Sequence, residues 1–160
     1  MAELQHADTV RPEWIDYNGH LSEPYYVLVF GDATTALMER AGMDAAYREA
    51  TGCSLYTVEA HVRYLREVAD GAALQVRTRV LGRDAKRLRL WHELHVDGRI
   101  AATEELMCLH VGADGTRPFP DAVAAELDAL AGPAAEEPEH AGRAISPLGR
   151  GGTVVQRPPT

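Results

Sequence analysis

Apolar residues recur every three or four positions along one stretch in the first third of the chain. The positions are Tyr26, Phe30, Ala33, Leu37 and Ala41. At 3.6 residues per turn this spacing puts them on one side of an α-helix, which should therefore be buried. Ser22 can cap this helix, Pro24 suits its first turn and Gly42 ends it. The pattern predicts one long helix with a continuous buried stripe.

The repeat changes to two residues from Ser54 onward, which is typical of half-buried β-strands. Apolar and polar residues alternate at Val58, Glu59, Ala60, His61, Val62, Arg63 and Tyr64. Similar alternation predicts strands over residues 74–80, 88–96 and 99–111, and the residues up to Val10 can form another. Asp97-Gly98 suits a type I′ turn between the last two strands. Residues 44–50 can add a helical turn, and Asp121 to Leu130 is predicted as a closing amphipathic helix.

This order of elements predicts an α+β fold in which an antiparallel sheet wraps one long helix. We expect the four later strands to follow one another as a meander. Trp91 lies on the sheet face that points away from the helix, among charged residues. Because that face needs a cover, we expect a partner subunit to bury it.

The composition indicates one globular domain. The chain has 160 residues, of which 46% are hydrophobic and 25% charged, and its formal net charge is −8. The acidic balance argues against nucleic acid as a partner. The apolar runs are shorter than the roughly 18 residues that span a bilayer, and the first residues lack the pattern of a leader peptide. We therefore expect a cytoplasmic protein with no membrane partner.

The composition changes at Gly132, after which proline and glycine dominate and the apolar pattern ends. We expect a folded domain over residues 1–131 and a tail over 132–160 that is mobile or lies on the surface.

Cys53 and Cys108 are too few and too far apart for a disulfide framework or a zinc site, so we expect reduced, structural thiols. His92 and His95 lie on opposite faces of one predicted strand and cannot bind one metal ion together.

The stretch from Glu13 to Tyr26 joins a carboxylate-containing loop to the start of the long helix. Its pattern Asp16-x-x-Gly19-His20, followed by Tyr26, resembles the hotdog-fold acyl-CoA thioesterases of the 4-hydroxybenzoyl-CoA type. This resemblance covers residues 5–131. The stretch is also similar to the thioesterases of carnitine breakdown, which act on betainyl-CoA or related trimethylammonium acyl thioesters. Three further segments share that similarity: Tyr56–Glu59, Lys86–Leu88 and Ala102–Glu105.

The resemblance implies a hotdog fold and hydrolysis of an acyl-CoA thioester without a cofactor or metal. Asp16 would act as nucleophile or as general base on water. The backbone amide of Glu23, unpaired at the helix start, would bind the oxyanion, and His20 and Asn18 would orient the reacting groups. Structural roles are open as well. Asp16 can shape an Asx turn, His20 can bond to the backbone, and Tyr26 can be the first core residue of the helix.

Substrate-binding residues are expected around this motif. Five aromatic residues can form the acyl pocket: Trp14, Tyr17, Tyr25, Tyr26 and Tyr56. Such a pocket, with nearby carboxylates, suits a quaternary ammonium group, and it equally suits an aryl or short acyl group. Basic residues for the CoA phosphates are Arg63, Lys86 and Arg87, although strand-end arginines are common without a ligand.

A second carboxylate, Glu59, can contribute to catalysis across a dimer interface. Thr57, Glu59, His61 and Arg63 are expected on one face of the strand, where they can also be solvated or interface charges. Together with the resemblance, this implies a homodimeric thioesterase, or a dimer of dimers, with active sites at the subunit interface. Two alternatives are open: another hotdog activity, a dehydratase or hydratase, and a non-catalytic module that binds acyl-CoA or quaternary ammonium groups.

Overall fold

Five long strands form one antiparallel sheet that curls around a central helix. The computed structural model describes residues 4–133 and 136–148. The long strands are β1 (Leu4–Thr9), β2 (Ser54–Tyr64), β3 (Ala73–Arg83), β4 (Arg87–Val96) and β5 (Arg99–Gly112), and a short strand β6 (Gly115–Thr116) pairs with β5. The predicted α+β architecture is therefore confirmed.

The predicted long helix is α1 (Glu23–Arg40), and its expected apolar stripe faces the sheet. Phe30 belongs to one part of the core and Leu37 to the other, and both are almost completely buried. The shorter helices are α2 (Ala45–Thr51) and α3 (Asp121–Ala131), close to their predicted bounds. No helix in the described part of the chain is long and apolar enough to cross a membrane.

The strands lie in the order β1-β3-β4-β5-β2, so the predicted meander of four consecutive strands is wrong for β2. Strand β2 pairs with β5 at one edge, and the chain then crosses to the other side of the sheet to begin β3. Strands β3, β4 and β5 do follow one another. Asp97 and Gly98 both have positive φ, as the predicted type I′ turn requires. Alternation of apolar and polar residues identifies a strand and its two faces, but it does not identify which strand lies beside it in the sheet.

Strand β2 contains a bulge at Val58. The register shifts between Thr57, which pairs with Cys108, and Glu59, which pairs with Met107. Thr57 therefore points to the helix-facing side of the sheet, and Glu59 points to the outer side. The expectation that both lie on one face is wrong because the extra residue inverts the alternation.

The chain's own C-terminal segment covers part of the outer face of the sheet. Trp91 is only 3% exposed and lies in a row between Arg79 and Glu105. Arg79 donates a hydrogen bond to the Glu136 carbonyl (2.9 Å), and the Gly142 N–H donates to Glu105 (2.6 Å). This segment therefore crosses the sheet next to Trp91. The expectation that a partner subunit must bury this side chain is wrong.

Candidate active site

Hydrogen bonds close residues 16–20 into a tight loop. The Asp16 N–H donates to the His20 carbonyl (3.0 Å), and the Gly19 N–H donates to the Asp16 carbonyl (3.0 Å). The Asn18 N–H donates to Oδ1 of Asp16 (2.8 Å), so the carboxylate also forms the Asx turn. Gly19 has φ +80°, a conformation that favours glycine. Oδ2 of Asp16 accepts no hydrogen bond from the described residues, so it is available for chemistry.

The loop leads directly into the N-terminus of α1. The Ser22 N–H donates to the Trp14 carbonyl (2.8 Å), which fixes the helix start beside the loop. The Tyr25 N–H donates back to the Ser22 carbonyl (3.0 Å), and Pro24 has no N–H. The Glu23 N–H meets no acceptor among residues 4–133 and 136–148. A free donor therefore stands at the positive end of the helix dipole.

The loop and the helix start form one wall of a cavity with a volume of about 640 Å³, which is within the usual range for ligand sites. The opposite wall is the segment that leaves the end of β2. The lining residues are Asp16, Asn18, His20, Leu21, Glu23, Tyr26, Tyr64, Leu65, Arg66 and Glu67. The structure thus brings together five of the residues singled out from the sequence, which are Asp16, Asn18, His20, Glu23 and Tyr26.

The wall formed by residues 64–67 was not predicted as part of the site. The Tyr26 hydroxyl donates to the Arg66 carbonyl (3.1 Å), and its ring contacts the Tyr64 ring edge-on at a centroid distance of 5.2 Å. Nε2 of His20 lies 3.3 Å from a Glu67 carboxylate oxygen. These contacts join segments about 40 residues apart in sequence, so no local pattern could have indicated them.

The two tyrosines of the cavity are held in their neutral form. Burial raises the pKa of Tyr26, and nearby charges, among them Asp16, raise it further. Burial likewise raises the pKa of Tyr64, with smaller contributions from Glu23 and Glu104. The cavity therefore offers neutral aromatic rings close to several carboxylates, an environment that attracts cations.

The other predicted aromatic residues lie outside this cavity. Tyr17 is 98% exposed at the tip of the loop. Trp14 is buried and stacks on Tyr25 with ring centroids 5.4 Å apart. Tyr56 and Glu59 lie in the first half of β2, whereas the cavity meets the last residue of that strand. One chain therefore does not bring these two residues to Asp16.

The predicted basic residues do not line the cavity either. Lys86 and Arg87 lie at the turn between β3 and β4, at the end of the sheet where Tyr56 lies. Nε of Arg87 donates a hydrogen bond to the Asp84 carboxylate (2.6 Å). The pKa of Asp84 is lowered to about 2, mainly by the backbone N–H groups of Lys86 and Arg87 and further by this contact. Arg63 points to the outer face of the sheet. Of the three predicted basic residues, Arg87 is therefore already paired.

One group of side chains could hold a metal ion in the described part of the chain. His6, Asp8 and Asp32 each place a ligand atom within 4.8 Å of the others. This group joins β1 to α1 and does not line the cavity. Both ring nitrogens of His92 are engaged with threonine hydroxyls, at 2.9 and 2.8 Å, so His92 is not available as a ligand.

Comparisons with known proteins add to this geometry. A family model described as a thioesterase-like superfamily matches residues 10–127. The chain is 48% identical over 142 residues to a betainyl-CoA thioesterase of Pseudomonas aeruginosa, which covers 85% of this chain and 89% of that protein. It is 51% identical over 146 residues to an L-carnitine dehydrogenase/betainyl-CoA thioesterase of Agrobacterium fabrum. That match covers 88% of this chain but 30% of the longer protein.

Two solved structures are similar over nearly the whole chain. A Staphylococcus aureus protein in complex with CoA superposes with a TM-score of 0.86 at 27% identity, covering 92% of this chain and 96% of the other. A candidate thioesterase of Pseudomonas putida KT2440 superposes with a TM-score of 0.81 at 40% identity, covering 93% and 99%.

Proposed function

The chain belongs to the thioesterase-like superfamily, and from this premise we propose that it hydrolyses betainyl-CoA, or a closely related trimethylammonium acyl-CoA, to the free acid and CoA. The hotdog fold predicted from the sequence is confirmed, and the protein is an acyl-CoA thioesterase. The acyl group is the proposed part. It is supported most directly by the 48% identity to a betainyl-CoA thioesterase that the chain matches over 89% of its length.

We assign the attack on the thioester to the Asp16 carboxylate. As a nucleophile it would bond to the acyl carbon and expel CoA as a thiolate, leaving a mixed anhydride that water then hydrolyses. As a general base it would take a proton from water while the water oxygen attacks the same carbon. In both routes the carbonyl oxygen becomes negative next to the free Glu23 N–H, and this donor stabilises it. Asn18 and His20 line the same cavity and would orient the reacting groups.

We propose a homodimer that pairs the free edges of two β2 strands. This edge carries exposed apolar side chains, including Tyr56, Val58 and Tyr64. Antiparallel pairing centred near Ala60 would bring Tyr56 and Glu59 of the partner subunit towards the cavity. Two such dimers could assemble further into a dimer of dimers. The dimer explains why residues predicted for one site lie at opposite ends of β2 within one chain.

The same pairing would bring the partner's Lys86 and Arg87 towards the cavity, where they could bind the CoA part of the substrate. Arg63, on the outer face of β2, would add to this surface. Arginine and lysine are suited to the phosphates of CoA. We therefore keep the assignment of these three residues to CoA binding, with two of them acting across the interface.

We further assign residues 1–131 to the thioesterase domain and residues 132–160 to a tail that follows it. The last part of the tail lies outside the described residues.

Both cysteines are free and buried, as expected for structural thiols, and this fits a protein of the reducing cytoplasm.

The substrate is tested by measuring thiol release from a panel of CoA esters. We expect the highest kcat/KM with betainyl-CoA and much lower values with neutral short-chain and aryl esters. A preference for neutral esters would contradict the proposed acyl group. Binding of the esters without thiol release would favour the binding module, and addition or loss of water in an enoyl or hydroxyacyl ester without thiol release would favour a dehydratase or hydratase.

A further inference from the structure

Glu104 is a buried acidic residue close to the cavity but outside its lining. It lies on β5 and is only 3% exposed. In the sheet register it stands between Val62 of β2 and His92 of β4, on the side that faces α1. Its neighbours on the same face of β5 are the core residues Ala102 and Leu106. A charged side chain is unexpected in such surroundings.

The groups around this carboxyl provide no positive charge. Burial lowers the pKa of His92 to about 3, so its imidazole is neutral. Cys108 lies on the same face of β5, beyond Leu106, and burial raises the pKa of its thiol to about 11. No ion pair or hydrogen bond to the Glu104 side chain is present among the described residues. A buried carboxyl without a partner is unfavourable, and a cation placed near it would relieve that cost.

Tyr64 connects Glu104 to the reaction centre. Its ring lines the cavity and contacts Tyr26. The charges of both Glu23, at the oxyanion site, and Glu104 act on its hydroxyl. In the sheet register Tyr64 stands opposite Ala102, two residues along β5 from Glu104, so Glu104 lies near the ring that lines the cavity. In betainyl-CoA the trimethylammonium nitrogen is two bonds from the reacting carbonyl carbon, so it would occupy this same small region.

We propose that Glu104 is a specificity-determining residue that makes the acyl pocket selective for a cationic acyl group. This inference rests on the proposed function. Tyr26 and Tyr64 would provide the aromatic faces for the methyl groups, and the Glu104 carboxylate would provide the negative charge behind them. The role differs from that of Asp16, since Glu104 discriminates between substrates and takes no part in bond breaking.

The test compares two substrates that differ in one atom. Betainyl-CoA carries a quaternary nitrogen, and tert-butylacetyl-CoA carries a neutral carbon at that position with the same shape. We expect Glu104→Gln to lower kcat/KM for betainyl-CoA by about tenfold or more while changing the value for the neutral ester by less than about threefold. The matched control is Glu105→Gln on the opposite face of β5, which should leave the ratio of the two values unchanged.

The outcomes separate this inference from the proposed function. A wild-type enzyme that does not prefer betainyl-CoA to the neutral ester overturns the proposed substrate, and this inference with it. A wild-type preference that survives in Glu104→Gln overturns this inference alone. An equal loss of activity towards both esters also overturns it, because it would show a purely structural role for Glu104.

A pH profile of the wild-type enzyme gives a second test that does not depend on folding of the variant. The titratable groups facing Glu104 are His92 from β4, Cys108 from its own strand and Tyr64 from β2, with Glu23 of α1 beyond Tyr64. Burial raises the pKa of Glu104 to about 7. The ratio of kcat/KM for betainyl-CoA to that for the neutral ester should therefore rise as pH increases through neutrality. A ratio independent of pH would contradict the inference, since effects of Asp16 cancel between the two esters.

Discussion

Replacing Glu104 by glutamine should change how the free energy of unfolding depends on pH. Burial raises the pKa of Glu104 from 4.5 to about 7 in the folded chain. The folded protein therefore keeps a proton that the unfolded chain has already lost. The resulting stability is fully present below pH 4.5 and is lost as the pH rises through 7. At about 1.4 kcal/mol per pKa unit, the full loss amounts to about 3.5 kcal/mol.

Urea unfolding from about pH 5 to about pH 8, at a fixed protein concentration, measures this effect. Glutamine does not titrate, so the difference in unfolding free energy between Glu104→Gln and wild type should shift in favour of the variant by about 2.5 kcal/mol over this range. Glu49→Gln, at an exposed position on α2, is the control and should show no such shift. Parallel pH curves for Glu104→Gln and wild type would refute the reasoning, because they would mean that the carboxyl is ionised in the folded chain without penalty.

Two other substitutions test the construction of the site. Tyr26→Phe removes the hydrogen bond to the Arg66 carbonyl and should lower the unfolding free energy by about 1 kcal/mol. Its kcat should stay within about threefold of wild type. A loss of kcat of about 100-fold or more without loss of stability would instead show that the phenol is catalytic. Gly19→Ala places a side chain at φ +80° with open space around it, so the backbone alone should lower stability by about 1 kcal/mol and misplace the Asp16 loop, reducing kcat. Unchanged melting and unchanged kcat in this variant would contradict the structural account of the loop.

Local chemistry explains why the core of the site could be predicted. The turn at Asp16, the conformation of Gly19 and the helix start at Glu23 lie within eight residues, and each follows from residue types in that segment. The apolar periods of three to four and of two likewise gave the long helix and the strands, because burial on one face controls both patterns.

Long-range pairing explains what the sequence did not reveal. Strand β2 lies beside β5 although its own pattern fits several neighbours, and the bulge after Thr57 inverts the faces that simple alternation assigns. The wall at residues 64–67 meets the Asp16 loop only in the folded chain. Arg83 of β3 is paired with Asp128 of α3, a contact between segments 45 residues apart in sequence. Trp91 is covered by a segment that has no periodic pattern of its own.

The most direct measurement of the central claim is the turnover of Asp16→Asn with betainyl-CoA. Asparagine can still accept the Asn18 N–H bond, so the variant should melt and bind CoA esters like the wild type, while thiol release falls by about 1,000-fold or more. Glu13→Gln, three residues earlier and exposed, serves as the control and should retain its turnover. Thiol release by folded Asp16→Asn within about tenfold of the wild-type rate would contradict the assignment of Asp16 as the group that attacks the thioester or activates water.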